Sequence, residues 1–198
     1  MYETYKVLLL GDCSSGKTSL IYRLVYDSFL ENYISTVGMD FNIKSFNVNN
    51  KNIRLQIWDS CGQERFNALT RSYYRNTHVF VICYDITSNV SFENAKIWIK
   101  EVEKYVDRPV IKMLIGTKSD LEELRRVSYN DGKKYADSLN IKFYETSSKD
   151  NSKDNSKESI KQIFENVSNE LSKFENKKED RNVLQFKEYK KDDKKMCC

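Results

Sequence analysis

Gly11-Asp12-Cys13-Ser14-Ser15-Gly16-Lys17-Thr18 fits the pattern G-x-x-x-x-G-K-[ST] and follows directly on the apolar run Tyr5-Lys6-Val7-Leu8-Leu9-Leu10. A glycine-rich turn leaving a buried strand points successive backbone N–H groups at one anion. A helix opening at Gly16 adds the positive end of its dipole. Strand, turn and helix must then occur in that order, which commits the chain to an α/β fold with a phosphate site where the first strand ends. Cys13, Ser14, Ser15, Gly16, Lys17, Thr18 and Ser19 form the candidate cradle. Within it Lys17 neutralises β- and γ-phosphates and Thr18 offers a hydroxyl to Mg²⁺.

The remaining chain supplies matching elements. Val79 to Tyr84 and Val110 to Ile115 are nearly continuous apolar runs, as expected of central parallel strands buried on both faces. Between them Phe92, Ala95, Trp98, Val102 and Tyr105 recur at helical spacing, as do Ile160, Ile163, Phe164, Val167, Leu171 and Phe174 in a final helix. Asp40 to Val48 and Lys51 to Trp58 flank Asn49-Asn50, which predicts a hairpin and the one antiparallel element. Strands alternating with helices predict a doubly wound sheet. Of the 198 residues 39% are hydrophobic, enough for one sizeable core. The net charge of +4 is spread over interspersed signs, which argues against nucleic-acid binding. No stretch is long enough to span a bilayer and no secretory leader is legible, so a cytosolic chain is expected. With His78 the single histidine and Cys13, Cys61 and Cys83 scattered, a zinc site is not expected.

Two further clusters fall at the carboxyl ends of strands, where open α/β sheets bind ligands. In Asp59-Ser60-Cys61-Gly62-Gln63-Glu64-Arg65-Phe66, Asp59 can hold Mg²⁺ through a water and Gly62 can place an N–H against a γ-phosphate. Gln63 would orient the attacking water. In Thr117-Lys118-Ser119-Asp120, a fixed carboxylate at Asp120 can accept from both N1–H and the 2-amino group of guanine. Adenine offers neither donor. A buried partner left unpaired can discriminate by about 10⁴-fold. Glu145-Thr146-Ser147-Ser148-Lys149 brings another loop to the same rim, adding Ser147, Ser148 and Lys149 to the nucleotide-binding set.

From about Tyr5 to Phe174, in unbroken motif order, the chain resembles the Ras-like small GTPases and within them the Rab family. Trp58 to Phe66 resembles W-D-T-A-G-Q-E-R-F, Ser72-Tyr73-Tyr74-Arg75 resembles S-Y-Y-R, and Thr36-Val37-Gly38-Met39-Asp40-Phe41 resembles T-I-G-x-D-F. The resemblance implies a P-loop small G domain over residues 1–174, with a six-stranded, mostly parallel sheet, one antiparallel strand and helices on both faces. It implies bound GTP or GDP with Mg²⁺, and Thr36 as a switch ligand of metal and γ-phosphate beside the catalytic Lys17 and Gln63. Phe29 becomes the aromatic edge against guanine, and Phe41, Trp58 and Tyr73 the triad that meets effector proteins. The implied partners are effectors, a guanine-nucleotide exchange factor, a GTPase-activating protein, a GDP-dissociation inhibitor and a prenylation escort. A monomer is expected, cycling between cytosol and the cytoplasmic face of Golgi, endosomal or secretory membranes.

Several positions depart from the family pattern. Thr117 stands where most members have asparagine, although Rho-type relatives also use T-K-x-D. Cys13 and Ser14 occupy positions that are small in the family, which predicts slow intrinsic turnover and leaves a GTP-binding scaffold without hydrolysis as the rival to a hydrolysing switch. A P-loop kinase lacks a legible acceptor site, and Asp120 opposes an ATPase. Lys149-Asp150-Asn151-Ser152-Lys153-Asp154-Asn155-Ser156 is a tandem repeat read as a solvated insertion. Residues 175–198 are so charged that a disordered tail is expected. The closing Cys197-Cys198 resembles the Rab double-geranylgeranylation signal, and two lipid chains suffice for lasting membrane attachment.

Overall fold

A computed structural model describes residues 1–29, 36, 38–60, 70–149 and 159–173. Strands β1 (Tyr2–Leu10), β2 (Met39–Val48), β3 (Lys51–Ser60), β4 (Val79–Asp85), β5 (Ile111–Thr117) and β6 (Lys142–Glu145) form one six-stranded sheet in the order β2-β3-β1-β4-β5-β6. Only β2 and β3 pair antiparallel, from Met39 opposite Ser60 to Val48 opposite Lys51. Asn49 and Asn50 join them with φ of 51° and 60°. Both central residues of a tight hairpin turn adopt that sign, and asparagine tolerates it.

Helices α1 (Lys17–Tyr26), α2 (Thr70–Tyr74), α3 (Asn89–Tyr105), α4 (Tyr129–Ser138) and α5 (160–173) lie on the two faces. The alternation of each strand sorts its side chains between two cores. Val7, Leu9, Val81, Met113 and Ile115 pack with Leu20, Ile21 and Leu24 of α1 and Ile163, Phe164 and Val167 of α5. Leu8, Leu10, Phe80, Ile82 and Leu114 pack with Phe92, Ala95, Trp98 and Ile99 of α3 and Ala136 of α4. The apolar stripes read from the sequence are the buried faces, with two adjustments. Ile99 joins the core of α3, whereas Tyr105, in its last turn, is 37% exposed. Phe174 lies outside the described residues.

Strand ends also shift. β1 begins at Tyr2, because residues 2–8 find partners along β3 before β4 becomes available at Val7. β3 runs past Trp58 to Ser60, because Asp59 and Ser60 still find ladder partners in Asp40 and Met39. β5 likewise includes Thr117, opposite Asp85 of β4.

This order gives the site its place. From β1 the chain proceeds to β3 on one side and then to β4 on the other, so the connections diverge at the carboxyl end of β1 and open a crevice there. Gly11 sits at that point with φ +138°, and a Cβ added to it would lie 2.3 Å from the Cys83 carbonyl oxygen of β4. Only glycine lets the loop turn this close to a neighbouring strand.

Candidate functional site

The phosphate loop leaves β1 at Gly11 and enters α1 at Gly16, whose φ of 85° lies in the left-handed region. Lys17 is buried, and its ammonium donates 2.8 Å bonds to the carbonyls of Gly11 and Asp12, folding the side chain back along the loop. Ser15 is 1% exposed and its hydroxyl finds no hydrogen-bond partner. Cys13 and Ser14 face solvent, Ser14 with φ 60°, while Ser19 is half-buried in the first turn of α1.

Three oxygen donors from separate segments meet beside this loop. Thr18 Oγ1 donates to Asp59 Oδ2 at 2.6 Å and lies 2.7 Å from Thr36 Oγ1, which is itself 3.4 Å from Asp59 Oδ2. The other carboxylate oxygen, Asp59 Oδ1, is buried without a hydrogen-bond partner. Desolvation pushes the Asp59 carboxyl above its ordinary range, opposed by the Thr18 hydrogen bond and the nearby Lys17 charge. An orphaned buried carboxylate oxygen beside two hydroxyls is an all-oxygen donor set, which suits a hard cation such as Mg²⁺ that keeps several of its waters.

The second half of the site lies at the ends of β5 and β6. Ser147 Oγ donates to Asp120 Oδ1 at 2.5 Å and accepts from the Lys149 N–H at 3.1 Å, so the two loops meet. Arg23 of α1 reaches across and donates to the Ser148 carbonyl at 2.8 Å. Lys118, with φ 60°, pairs with Asp85 at 2.6 Å. Arg125 bonds both oxygens of the buried Glu145 at 2.8 and 2.9 Å, steadying the strand from which the third loop departs. Thr117 is 3% exposed, and its hydroxyl lies 2.8 Å from the Ser15 carbonyl and 2.9 Å from that of Tyr84. Both of these partners are backbone carbonyls, so here it braces the phosphate loop against the sheet. Phe29 is half-buried just beyond α1. Gly62, Gln63, Cys197 and Cys198 lie outside the described residues.

A third group is aromatic. Phe41 of β2 packs at a tilt against Trp58 of β3, ring centroids 5.0 Å apart, and Trp58 lies 6.0 Å from Tyr73 of α2. Lys6 stands over both Trp58 and Tyr73 and donates to the Tyr73 carbonyl at 2.7 Å, while burial lowers its pKa. Phe41 is 41% exposed, so one end of the patch faces outward.

Sequence reasoning gave no site role to Arg23, Asp85, Asn94, Trp98 and Arg125, which hold loop residues or, for Arg125, the end of β6 by contacts between distant segments. A signal existed for one pair. Asn94 and Trp98 stand four residues apart on a helix, on a face that meets the acidic side chain of Asp12 in the phosphate loop.

Comparison with known proteins agrees with this arrangement. Residues 6–173 match the model of the Ras family. Over 146 residues the chain is 49% identical to Ras-related protein RIC1 of Oryza sativa subsp. japonica and 47% identical to GTP-binding protein ypt1 of Schizosaccharomyces pombe. Each alignment covers 74% of this chain and 72% of the relative. Ras-related protein Rab-1A of Dictyostelium discoideum is 46% identical over 145 residues, 73% of this chain and 72% of its own. A sheet whose one antiparallel strand precedes the Asp59 strand, a phosphate loop at its switch point, and this extent of identity together make the chain a member of the Ras family of small GTPases, on its Rab branch.

Proposed function

We propose that this protein is a membrane-tethered GTP/GDP switch of vesicle traffic, in which hydrolysis by an in-line water ends the active state. The observation that carries the reading is the meeting of Thr18, Thr36 and Asp59 beside the phosphate loop, on the sheet edge that also carries Asp120 and Ser147.

The backbone N–H groups of Cys13 to Lys17 receive the phosphates, and Lys17 exchanges its carbonyl partners for the β- and γ-oxygens. Asp120 reads the N1–H and 2-amino donors of guanine, with Ser147 orienting its carboxylate and Phe29 covering one side of the base. Thr18 and Thr36 would hold Mg²⁺ directly and Asp59 through a water, where the ion would neutralise phosphate charge. Gln63 aligns the attacking water, and Gly62 offers its N–H to the γ-phosphate. Loss of that phosphate frees Thr36 and Gly62, so the segments around them relax and the surface containing Phe41, Trp58 and Tyr73 no longer presents its effector-binding form.

Residues 1–174 form the switch and 175–198 its tether, with Cys197 and Cys198 carrying geranylgeranyl groups. An exchange factor, an activating protein, a GDP-dissociation inhibitor and a prenylation escort complete the cycle between cytosol and Golgi, endosomal or secretory membranes. Purified protein should bind GTP and GDP far more tightly than ATP and should turn over bound GTP when Mg²⁺ is supplied, read by single-turnover release of phosphate. Tight ATP binding would end the guanine reading; stable GTP in the presence of a bound, competent activator would leave a non-hydrolysing scaffold.

The tether has its own expected outcome. Replacing Cys197 and Cys198 together by Ser should move the protein into the soluble fraction with GTP binding unchanged, and replacing one should weaken retention more than it abolishes modification, because a single chain anchors less durably. Cell fractionation with mass measurement of the attached lipid reads both. Retention of a lipid-free double variant would show that a protein partner holds the molecule at the membrane.

A further inference from the structure

The phosphate loop carries an acidic side chain, Asp12, immediately after Gly11 and five residues before the lysine that must meet the phosphates. Left to itself, a carboxylate in that loop would repel a triphosphate or compete for Lys17. The described geometry separates the two ends of this residue. Its backbone carbonyl accepts from Lys17 at 2.8 Å, whereas its carboxylate is taken up on the other side by helix α3: Asn94 Nδ2 donates to Oδ2, and Trp98 Nε1 lies 3.4 Å from Oδ1. Trp98 is fully buried in the core between α3 and the sheet, so its indole N–H is a fixed donor, while Asn94 is half-buried at the same helix face.

From this geometry we propose that Asn94 and Trp98 are positioning residues for nucleotide retention: they hold the Asp12 carboxylate against α3, away from the phosphates, and keep Lys17 available to the nucleotide. The proposal rests on the nucleotide reading above. It makes α3 a mechanical partner of the phosphate loop, with Asp12 as the link and Asn94 as the end of that link nearer solvent. A hydrogen bond to a charged group is among the stronger ones, and losing it here releases a negative charge toward a site that binds several. A change in the position of α3 would therefore be felt as a change in how long nucleotide stays bound.

The test is a cycle on the full chain loaded with fluorescent GDP. Asn94→Ala should release the nucleotide about 10-fold faster than the native protein, because a charge-assisted bond is lost, while the midpoint of thermal unfolding in saturating GDP falls by no more than the weaker binding accounts for. Trp98→Phe, which keeps most of the ring and loses the N–H, should move the rate in the same direction by a smaller factor. In an Asp12→Ala background there is no carboxylate to hold, so adding Asn94→Ala should change the rate by less than about twofold. A merely structural asparagine would shift unfolding without this dependence on Asp12. Native protein that retains GDP, with Asn94→Ala releasing it at the native rate, overturns the tether alone. An acceleration that persists in full when Asp12 is Ala also overturns it. Native protein that fails to retain GDP overturns the nucleotide reading and the tether with it.

Discussion

Asp120→Asn is expected to invert nucleotide preference, lowering affinity for GTP and raising that for xanthosine triphosphate, with a combined swing of about 10⁴-fold. On the proposed reading the carboxylate accepts from two donors on guanine, and an amide in its place can accept from one and must turn an N–H toward the other. Xanthine presents an oxygen at that second position, so the amide matches it and the carboxylate does not. The Ser147 hydroxyl already holds Asp120 Oδ1, and an amide oxygen can accept the same bond, so the exchange should leave the loop where it is. Competition of GTP, xanthosine triphosphate and ATP against labelled GDP measures all three on both forms. An unchanged GTP preference would remove Asp120 from the base site.

Gln63→Leu is expected to leave GTP affinity near native and to reduce activator-stimulated hydrolysis by about 10²-fold or more, the scale of losing one positioned transition-state group. On the proposed reading affinity comes from the phosphate loop and Asp120, whereas Gln63 is asked only to align water. Single-turnover phosphate release with and without the activator makes the comparison. The activator must first be shown to bind, because related activators can supply a glutamine of their own and mask the loss. Equal rates for native and Leu forms, with an activator that brings no glutamine, would take Gln63 out of the chemistry.

Asp120 follows β5, a largely buried strand held between β4 and β6, and its loop is tied to Ser147, which is tied to Lys149, while Arg23 holds Ser148 from a different helix. What the structure bears out of that reading is the strand before T-K-x-D, since the apolar run that predicted it is β5. Thr117 was harder to assign. In the sequence it stands at a base-contacting position, and only the meeting of β4, β5 and the phosphate loop shows its hydroxyl facing the carbonyls of Ser15 and Tyr84.

The strand limits make the same point on a smaller scale. Trp58 looked like the end of β3 because apolarity ends there, yet Asp59 and Ser60 remain in the ladder opposite β2. That extension carries the Asp59 carboxylate to Thr18 and Thr36. Hydrogen-bond pairing, which depends on the neighbouring strand, outlasts the hydrophobic signal that a single segment carries.

By itself the sequence determined the phosphate loop, the alternation of strands and helices, the Asn49-Asn50 hairpin and the apolar stripes of α3 and α5. Each is a local matter of side-chain period, turn chemistry or spacing within one segment. Only the tertiary structure decided that Thr18, Thr36 and Asp59 meet within hydrogen-bond reach, and that Phe41, Trp58 and Tyr73 form one aromatic patch. It alone showed that Asp12 is held by a helix more than eighty residues away in the chain. Those contacts join segments whose spacing along the chain is arbitrary, and they exist because a sheet ordered β2-β3-β1-β4-β5-β6 brings the ends of β1, β3, β4 and β5 side by side.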